Sequence, residues 1–322
     1  MPFSFLGGNN GPTLTEKNLP DQSGKVFLVT GSSSGVGLEL VEILYSHNAK
    51  VYVAARSAAK AQQCIDAITQ RHPSSSGELC FLELDLTDLN KVKAAAQHFL
   101  SIESRLDILW NNAGVMIPPE TLTTAQNHDL QLGVNCIGPF LFTKLLNPLL
   151  VRTAESSDPW SVRVIWVSSS AAERFSPPGG VELDNLDYHV SKGRWHRYGV
   201  SKAGNILYAA EYANRHKADG VLSLSLDPGN LKTDLCKDMP RYQMFFANLV
   251  LQEPIYGAYT ELFAGLSKDV SEKDNGGFII PWGKMGEPRK DIAASMKSPS
   301  QSGTGLGALF WEWTEDRVRD YV

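Results

Sequence analysis

Strand and helix patterns alternate regularly along most of this chain. Six short runs rich in apolar and β-branched residues are typical of buried strands: Val26–Thr30, Val51–Ala54, Leu79–Leu84, Leu106–Trp110, Val162–Val167 and Leu222–Leu226. Helical patterns lie between and after them, at Val36–His47, Ala58–Arg71, Leu89–Glu103, Gln126–Leu150 and Tyr198–His216. Continuous apolar strands that alternate with helices predict a doubly wound α/β fold, a parallel sheet flanked by helices on both faces. Ligands of such sheets bind beyond the carboxyl ends of the strands.

The alternation predicts a single domain over residues 25–283, with a different kind of segment at each end. Residues 1–24 are rich in Gly, Asn and Pro and predict a flexible leader. Within the domain, a Pro-, Gly- and charge-rich insertion at 171–197 interrupts the pattern. The tail, 284–322, is polar until an aromatic stretch at Ala308–Trp313, and we expect it to pack on the domain.

Composition excludes several classes of function. The net charge is −5 and no lysine- or arginine-rich run occurs, so a nucleic-acid partner is not expected. We expect no membrane span and no signal peptide, which predicts a cytoplasmic protein. Four cysteines lie far apart without a CxxC pair, which favours neither a disulfide framework nor a metal site: Cys64, Cys80, Cys136 and Cys236.

A glycine-rich turn follows the first predicted strand and opens the first predicted helix. It contains Gly31, Ser33, Ser34, Gly35, Val36 and Gly37. Glycines let a backbone approach a pyrophosphate, and a helix N-terminus offers unpaired N–H groups to it. A tight strand–helix loop would also use glycines. The position after the first strand favours dinucleotide binding and a Rossmann-type domain.

The glycine spacing and five further motifs together resemble the short-chain dehydrogenase/reductase family from about Lys25 to about Ser267. These motifs occur in the order found in that family: Asn111-Asn112-Ala113-Gly114, then Asn135, Ser168-Ser169-Ser170, Tyr198-Gly199-Val200-Ser201-Lys202 and Asp227-Pro228-Gly229. The resemblance implies a nicotinamide cofactor. Besides the glycine-rich turn, it would be bound by Asp85, Leu86, Asn112, Ala113, Gly114, Tyr198, Lys202, Pro228, Gly229 and Thr233.

The end of the second predicted strand indicates which nicotinamide cofactor binds. A carboxylate there would contact the ribose hydroxyls of NAD and repel a 2′-phosphate. This strand is followed by Arg56 with no carboxylate, which favours NADP(H). A solvated arginine at the start of the next helix is the alternative interpretation. Asp85 matches the family position beside the adenine, but it could equally be a turn or N-cap residue.

Two segments match the Tyr-x-x-x-Lys pattern and differ at one position: Tyr188 to Lys192 and Tyr198 to Lys202. A lysine four residues after a tyrosine lies one helical turn away, where its charge favours tyrosinate. This geometry requires a helix. Residues 193–197, after the first match, predict a poor helix, whereas the second match continues into a good one. Tyr198 and Lys202 are therefore the predicted catalytic pair.

Two further residues complete the predicted catalytic group. The resemblance implies that Ser169 polarises the substrate oxygen, although Ser170 could substitute if the strand ends later. It also implies that Asn135 supports a proton relay, whereas an amide that satisfies helix backbone is the alternative. Lys202 would also hold the nicotinamide ribose. No metal is expected.

The spacing between Ser169 and Tyr198 is long for the family and resembles its retinol-dehydrogenase-like branch. That likeness implies an alcohol or carbonyl substrate that is lipophilic or aromatic, and specialised metabolism is one expected setting. The loop at about 229–254 would line the substrate pocket, or else pack in the core or at a dimer interface, through Met239, Tyr242, Met244, Phe245 and Phe246. A homodimer through the Gln126–Leu150 and Tyr198–His216 helices is also expected from the family. The alternatives are a non-redox cyclase, dehydratase or isomerase, or an NADP-binding regulator.

Overall fold

The computed structural model describes residues 11–233 and 251–322 and contains one sheet of eight strands. The strand order is β3-β2-β1-β4-β5-β6-β7-β8, in which the first seven strands pair in parallel and β8 runs antiparallel to β7. The strands are β1 (Val26–Thr30), β2 (Lys50–Ala55), β3 (Glu78–Glu83), β4 (Ile108–Asn111), β5 (Val162–Val167), β6 (Val221–Leu226), β7 (Phe278–Ile280) and β8 (Lys284–Gly286). This arrangement confirms the predicted doubly wound fold.

Helices cover both faces of the sheet. They are α1 (Gly35–Ser46), α2 (Ala58–Arg71), α3 (Leu89–Ile102), α4 (Gly138–Glu155), α5 (Ala171–Phe175), α6 (Arg194–Arg215), α7 (Pro254–Leu266), α8 (Lys290–Ser295) and α9 (Leu306–Val318). One apolar core lies between the sheet and α3, α4, α6 and α9. The second core lies on the opposite face, under α1, α2 and α7. Strands buried on both sides explain why their sequences are continuously apolar.

Two predicted helices have different starts in the structure. The helix predicted from Gln126 begins with a turn at Leu130–Leu132, continues through a π-helical turn at Gly133–Ile137 and then becomes α4. Together this stretch, Leu130–Glu155, is long and apolar enough to cross a bilayer by composition, but 72% of its most apolar window is buried inside the protein, as in a core helix.

The helix that carries Tyr198 begins at Arg194, so the prediction of poor helix over 193–197 is wrong beyond Gly193. Gly193 is extended and precedes the helix. Side-chain contacts then hold the first turn in place. Arg194 donates to the carbonyl of Ile117 at 3.1 Å, and Arg197 forms an ion pair with Asp129 at 2.9 Å. These long-range contacts outweigh the weak local helix propensity, and no local pattern encodes them.

Both chain ends contact the domain where the structure describes them. In the predicted leader, Leu19 is buried in the core, and the N–H of Gln22 donates to the carbonyl of His47 at 2.7 Å. Residues 11–24 therefore do not behave as a loose leader, because an apolar side chain anchors them. The predicted tail starts at Lys284 inside the sheet, since β8 pairs with β7.

The last helix, α9, packs against α6 and α4. The ring of Phe310 stacks on that of Tyr208 with centroids 4.9 Å apart, and Thr314 hydrogen bonds to the Tyr208 hydroxyl at 2.6 Å. Lys144 on α4 reaches Glu315 at 2.5 Å. These contacts cover part of α4 and α6, the two helices through which a homodimer was expected.

Candidate active site

A cleft of about 890 Å³ lies beyond the carboxyl ends of the strands, where the strand order reverses between β1 and β4. It collects most of the residues predicted from sequence. They come from the glycine turn, from the segments after β2, β3, β4, β5 and β6, and from α6: Gly31, Ser33, Ser34, Gly35, Val36, Arg56, Leu86, Asn112, Ala113, Gly114, Ser169, Tyr198, Lys202, Pro228, Gly229 and Thr233. Gly37, Asp85 and Asn135 do not line it.

The glycine turn is shaped by close approach to the loop after β4. Gly31 and Gly35 have φ of +68° and +60°, which side chains rarely adopt. A Cβ at Gly31 would lie 2.7 Å from the Cα of Ala113, and one at Gly37 would lie 2.6 Å from Nδ2 of Asn112. Thus Gly37 serves this packing rather than the cleft wall. The helix α1 starts at Gly35 without a side-chain cap, which suits an anionic ligand.

The loop after β4 is fastened to the glycine turn by hydrogen bonds. Asn112 donates from Nδ2 to the carbonyl of Thr30 at 2.7 Å, and the Ala113 N–H donates to the Thr30 hydroxyl at 3.0 Å. On the opposite side, a Cβ at Gly35 would lie 3.4 Å from the Thr233 side chain. The backbone of the turn is therefore held between two neighbouring loops, and its glycines leave the space that a pyrophosphate needs.

Positive side chains dominate the charge of the cleft. Among the described residues that line it, the charged ones are Arg56, Arg174 and Lys202. Arg56 is exposed at the end of β2, and no carboxylate lines the cleft beside it. This lining fits a ligand with several phosphates, including one near Arg56.

Asp85 has local partners instead of facing the cleft. Its carboxylate accepts from the N–H and the hydroxyl of Thr87, at 3.1 and 2.7 Å, and pairs with Lys91 at 3.3 Å. Of the two interpretations left open by the sequence, this geometry matches the turn residue. Leu86 and Thr87 line the cleft there, and Thr87 was not anticipated from sequence.

Tyr198 and Lys202 lie together on α6 and face the cleft. The Lys202 ammonium is 5.8 Å from the centre of the Tyr198 ring. It donates to the carbonyl of Val167 at 2.9 Å, and the Ser168 hydroxyl donates to the Lys202 carbonyl at 2.7 Å. Burial lowers the pKa of Lys202 from 10.5 to about 8, partly offset by Cys136, Glu261 and Asp227. The lysine is thus held at the end of β5.

The second Tyr-x-x-x-Lys match has no such geometry. Tyr188 lies in a turn with φ of +55° and does not line the cleft. The guanidinium of Arg197 stacks on its ring at 4.5 Å, and its buried hydroxyl has no hydrogen-bond partner among the described residues. Lys192 pairs with Glu182 at 3.1 Å instead of with a tyrosine. Only Tyr198 therefore combines a helical lysine with access to the cleft.

The two serines after β5, Ser169 and Ser170, both line the cleft. The Ser169 hydroxyl accepts from the N–H of Ala171 at 3.2 Å, and Ser170 precedes α5. An accepted N–H fixes the Ser169 oxygen while leaving its proton available for a substrate oxygen. This geometry is compatible with the polarising role expected for Ser169.

Asn135 is buried behind Gly114, and both Oδ1 and Nδ2 of its side chain form hydrogen bonds with neighbouring residues. Its Nδ2 donates to the carbonyl of Val115 at 3.0 Å and to Ser201 at 2.9 Å, while its Oδ1 accepts from the Val115 N–H at 2.8 Å. A Cβ on Gly114 would lie 3.3 Å from Oδ1 of Asn135 and 3.4 Å from the Lys202 ammonium. The Asn135 amide thus binds the backbone of Val115, which matches the interpretation as a structural amide. It also lies close to Lys202.

One end of the cleft is apolar, and sequence reasoning missed it. Besides Tyr198 it is lined by Met116, Pro118, Pro119, Leu122, Leu130, Val134, Ala171, Phe175 and Trp195. These residues come from a loop after β4, from the turns at Leu130–Leu132 and Gly133–Ile137, from α5 and from the first turn of α6. Apart from Asn135, no motif marks these segments. The predicted loop residues Met239, Tyr242, Met244, Phe245 and Phe246 lie outside the described residues, as does Cys236.

Fold and cleft together define an α/β protein that binds a dinucleotide. The family described as short chain dehydrogenase matches residues 25–181. A short-chain dehydrogenase/reductase from Phomopsis amygdali is 51% identical over 317 residues, which cover 97% of this chain and 94% of that protein. The chain therefore belongs to the short-chain dehydrogenase/reductase family, and it is an oxidoreductase with a nicotinamide cofactor.

Two solved structures share the architecture. A protein of unknown function from Mycobacterium paratuberculosis has a TM-score of 0.69 at 25% identity, with 96% of this chain and 98% of that chain covered. An NADPH-bound carbonyl reductase from chicken fatty liver has a TM-score of 0.60 at 24% identity, with 84% and 100% covered. At this identity the second likeness concerns the fold alone.

Proposed function

We propose that this protein is a cytoplasmic, NADP(H)-dependent oxidoreductase that interconverts an alcohol and a ketone or aldehyde on a lipophilic or aromatic small molecule. The observation that carries the proposal is the placement of Tyr198 and Lys202 on one face of α6, in a cleft shared with the glycine turn. The apolar end of the same cleft supports an apolar substrate. Specialised metabolism remains the expected setting.

Side chains of this protein would donate the proton and bind the substrate oxygen. NADPH, when bound, supplies the hydride. Tyr198 donates a proton to the carbonyl oxygen that becomes the alcohol, and the Lys202 ammonium stabilises the tyrosinate that remains. Ser169 donates a hydrogen bond to the same oxygen as charge develops on it. Asn135 fixes the Val115 backbone and Ser201 around this group.

The preference for NADP(H) rests on Arg56. Its position at the end of β2, with no carboxylate in the lining, suits the 2′-phosphate. Arg56→Asp should raise the KM for NADPH by about tenfold or more, and lower the KM for NADH. Lys268→Asp makes the same charge change at an exposed site away from the cleft and serves as the control. Unchanged cofactor kinetics in Arg56→Asp would refute the assignment.

The two tyrosines allow a matched test of the chemistry. NADPH oxidation is measured against a panel of ketones and quinones for the wild type, Tyr198→Phe and Tyr188→Phe. Tyr198→Phe should lose at least about a thousandfold in kcat, since it removes the proton donor. Tyr188→Phe should retain most of the activity. NADPH binding without oxidation of any panel member would favour a non-redox enzyme or a regulator.

A further inference from the structure

An aromatic wall stands beside Tyr198 at the apolar end of the cleft. Phe175 and Trp195 lie with ring centroids 4.9 Å apart and planes tilted by 33°. Trp195 meets the Tyr198 ring edge to face, with centroids 6.3 Å apart. All three residues line the cleft, and Phe175 keeps 38% of its surface exposed. The rings therefore form a continuous series that ends at the proposed proton donor.

The backbone that presents Phe175 is packed directly against α6. A Cβ on Gly199 would lie 2.6 Å from both the carbonyl carbon of Phe175 and the nitrogen of Ser176. Such contacts are too close for any side chain. Glycine at the position after Tyr198 thus lets the end of α5 lie against the catalytic helix and fixes the distance between Phe175 and Tyr198.

Arg289, more than a hundred residues further along the chain, holds the other side of this segment. Its guanidinium donates to the carbonyls of Glu173 and Pro177, both at 2.6 Å, and to that of Ser176 at 3.3 Å. Asp291 binds the same guanidinium through both oxygens, at 2.6 and 2.8 Å. These hydrogen bonds involve backbone on both sides of Phe175, so they fix the position of the backbone that carries its ring.

The Arg289 guanidinium is held in place by Asp291, which has a further partner. The Asp291 carboxylate also accepts from the N–H of Gly179 at 2.7 Å, and hydrogen bonding to Arg289 holds the pKa of Asp291 at about 2. Planar guanidinium geometry allows several carbonyls and a carboxylate to be bound at once, which a lysine ammonium cannot reproduce. The C-terminal segment therefore contributes to the shape of the cleft without lining it.

We propose that Phe175 and Trp195 form a specificity wall for flat aromatic carbonyl compounds, and that Arg289 is a positioning residue that holds Phe175 in this wall. The proposal rests on the proposed carbonyl chemistry of Tyr198. Aromatic rings prefer offset or edge-to-face contact with further rings, so a planar substrate extends the existing series. The cleft is also lined by the aliphatic residues Met116, Pro118 and Leu122, which suit contact with an apolar ring.

The test compares a flat and a small dicarbonyl substrate. For 9,10-phenanthrenequinone and 2,3-butanedione, kcat and KM are measured with NADPH in Phe175→Leu, Arg289→Lys, the double variant and Arg319→Lys. The last variant makes the same change at an exposed arginine near the chain end and should match the wild type. The wild type should prefer phenanthrenequinone, and Phe175→Leu should lower the ratio of the two kcat/KM values about tenfold.

Arg289→Lys should lower the same ratio about fivefold, through KM for the flat substrate, with the KM for NADPH unchanged. In the double variant, Arg289→Lys should cause no further loss, because the ring that it positions is absent. An Arg289→Lys effect that is equal for both substrates, or additive in the double variant, would assign Arg289 a role in stability alone and overturn its part of the proposal.

A binding measurement separates this proposal from the proposed reaction. Phenanthrene has no carbonyl group, and its fluorescence reports binding to the NADPH complex independently of turnover. Phe175→Leu should weaken phenanthrene binding about tenfold relative to the wild type. Equal affinity in the two proteins would refute the aromatic wall even if carbonyl reduction is observed. Weakened binding without any carbonyl reduction would refute the proposed reaction and leave the wall intact.

Discussion

Glu261 on α7 provides a quantitative test of the balance of buried charge around Lys202. Its side chain is fully buried, and neither carboxylate oxygen has a hydrogen-bond partner among the described residues. Its main-chain carbonyl accepts from the Trp110 indole at 3.0 Å, which fixes this turn of the helix. Burial raises the pKa of Glu261 from 4.5 to about 8, and the charge of Lys202 opposes the rise. The carboxyl is therefore mostly protonated at neutral pH.

This raised pKa makes folding stability depend on pH in a definite direction. The folded protein holds a proton that the unfolded chain releases above pH 4.5, so the free energy of unfolding falls as pH rises towards about 8. At about 1.36 kcal/mol per pH unit, the loss is ~3 kcal/mol at pH 7. Glu261→Gln keeps the shape and removes the ionisation. We expect this variant to match the wild type near pH 4.5 and to be about 3 kcal/mol more stable at pH 7.

Urea unfolding followed by circular dichroism at pH 5, 7 and 8.5 measures this difference. The exposed Glu155, at the end of α4, gives the matched control Glu155→Gln, whose unfolding curves should follow the wild type at every pH. If Glu261→Gln and the wild type differ by the same amount at all three pH values, the carboxyl does not titrate as argued. A less stable variant at pH 8.5 would show that the ionised carboxylate is stabilised in the fold.

Three further predictions follow from single contacts. Because burial lowers the pKa of Lys202 to about 8, the kcat/KM for carbonyl reduction should fall above that pH, and Lys202→Arg should move this fall to higher pH in a pH–rate profile. Arg163, buried on β5, donates to the carbonyls of Ala264, Ser267 and Val270. Arg163→Met should therefore lower the free energy of unfolding by about 3 kcal/mol, measured with urea. A decrease of less than about 1 kcal/mol would contradict this role. Phe310→Ala removes a fully buried ring from the contact between α9 and α6. It should lower the free energy of unfolding in urea by about 3 to 5 kcal/mol.

The sequence predicted the parts of this molecule that local chemistry determines. The strands, the glycine turn and the Tyr198–Lys202 spacing each follow from a periodicity or a backbone requirement that acts within a few residues. The preference for Tyr198 over Tyr188 also came from local helix propensity, although the helix starts at Arg194 rather than at the tyrosine.

Features that depend on distant segments could not be predicted in this way. Phe175 and Trp195 are twenty residues apart and meet only because Gly199 and Arg289 place the end of α5 against α6. Asp85 binds Thr87 and Lys91 and does not face the cleft. The spacing of residues in the sequence does not show which way this side chain points. The anchoring of residues 11–24 likewise depends on the tertiary contacts of Leu19.

The packing of α9 on α6 is a contact within one chain, so it does not weaken when the protein is diluted. The rings of Phe310 and Trp311 lie against Tyr208 on α6, one of the two helices expected to pair between chains. A contact within one chain acts at an effective concentration on the order of millimolar, however little protein is present. A contact between subunits is lost when the protein falls below its dissociation constant. The support that α9 gives to this part of α6 is therefore the same at every protein concentration.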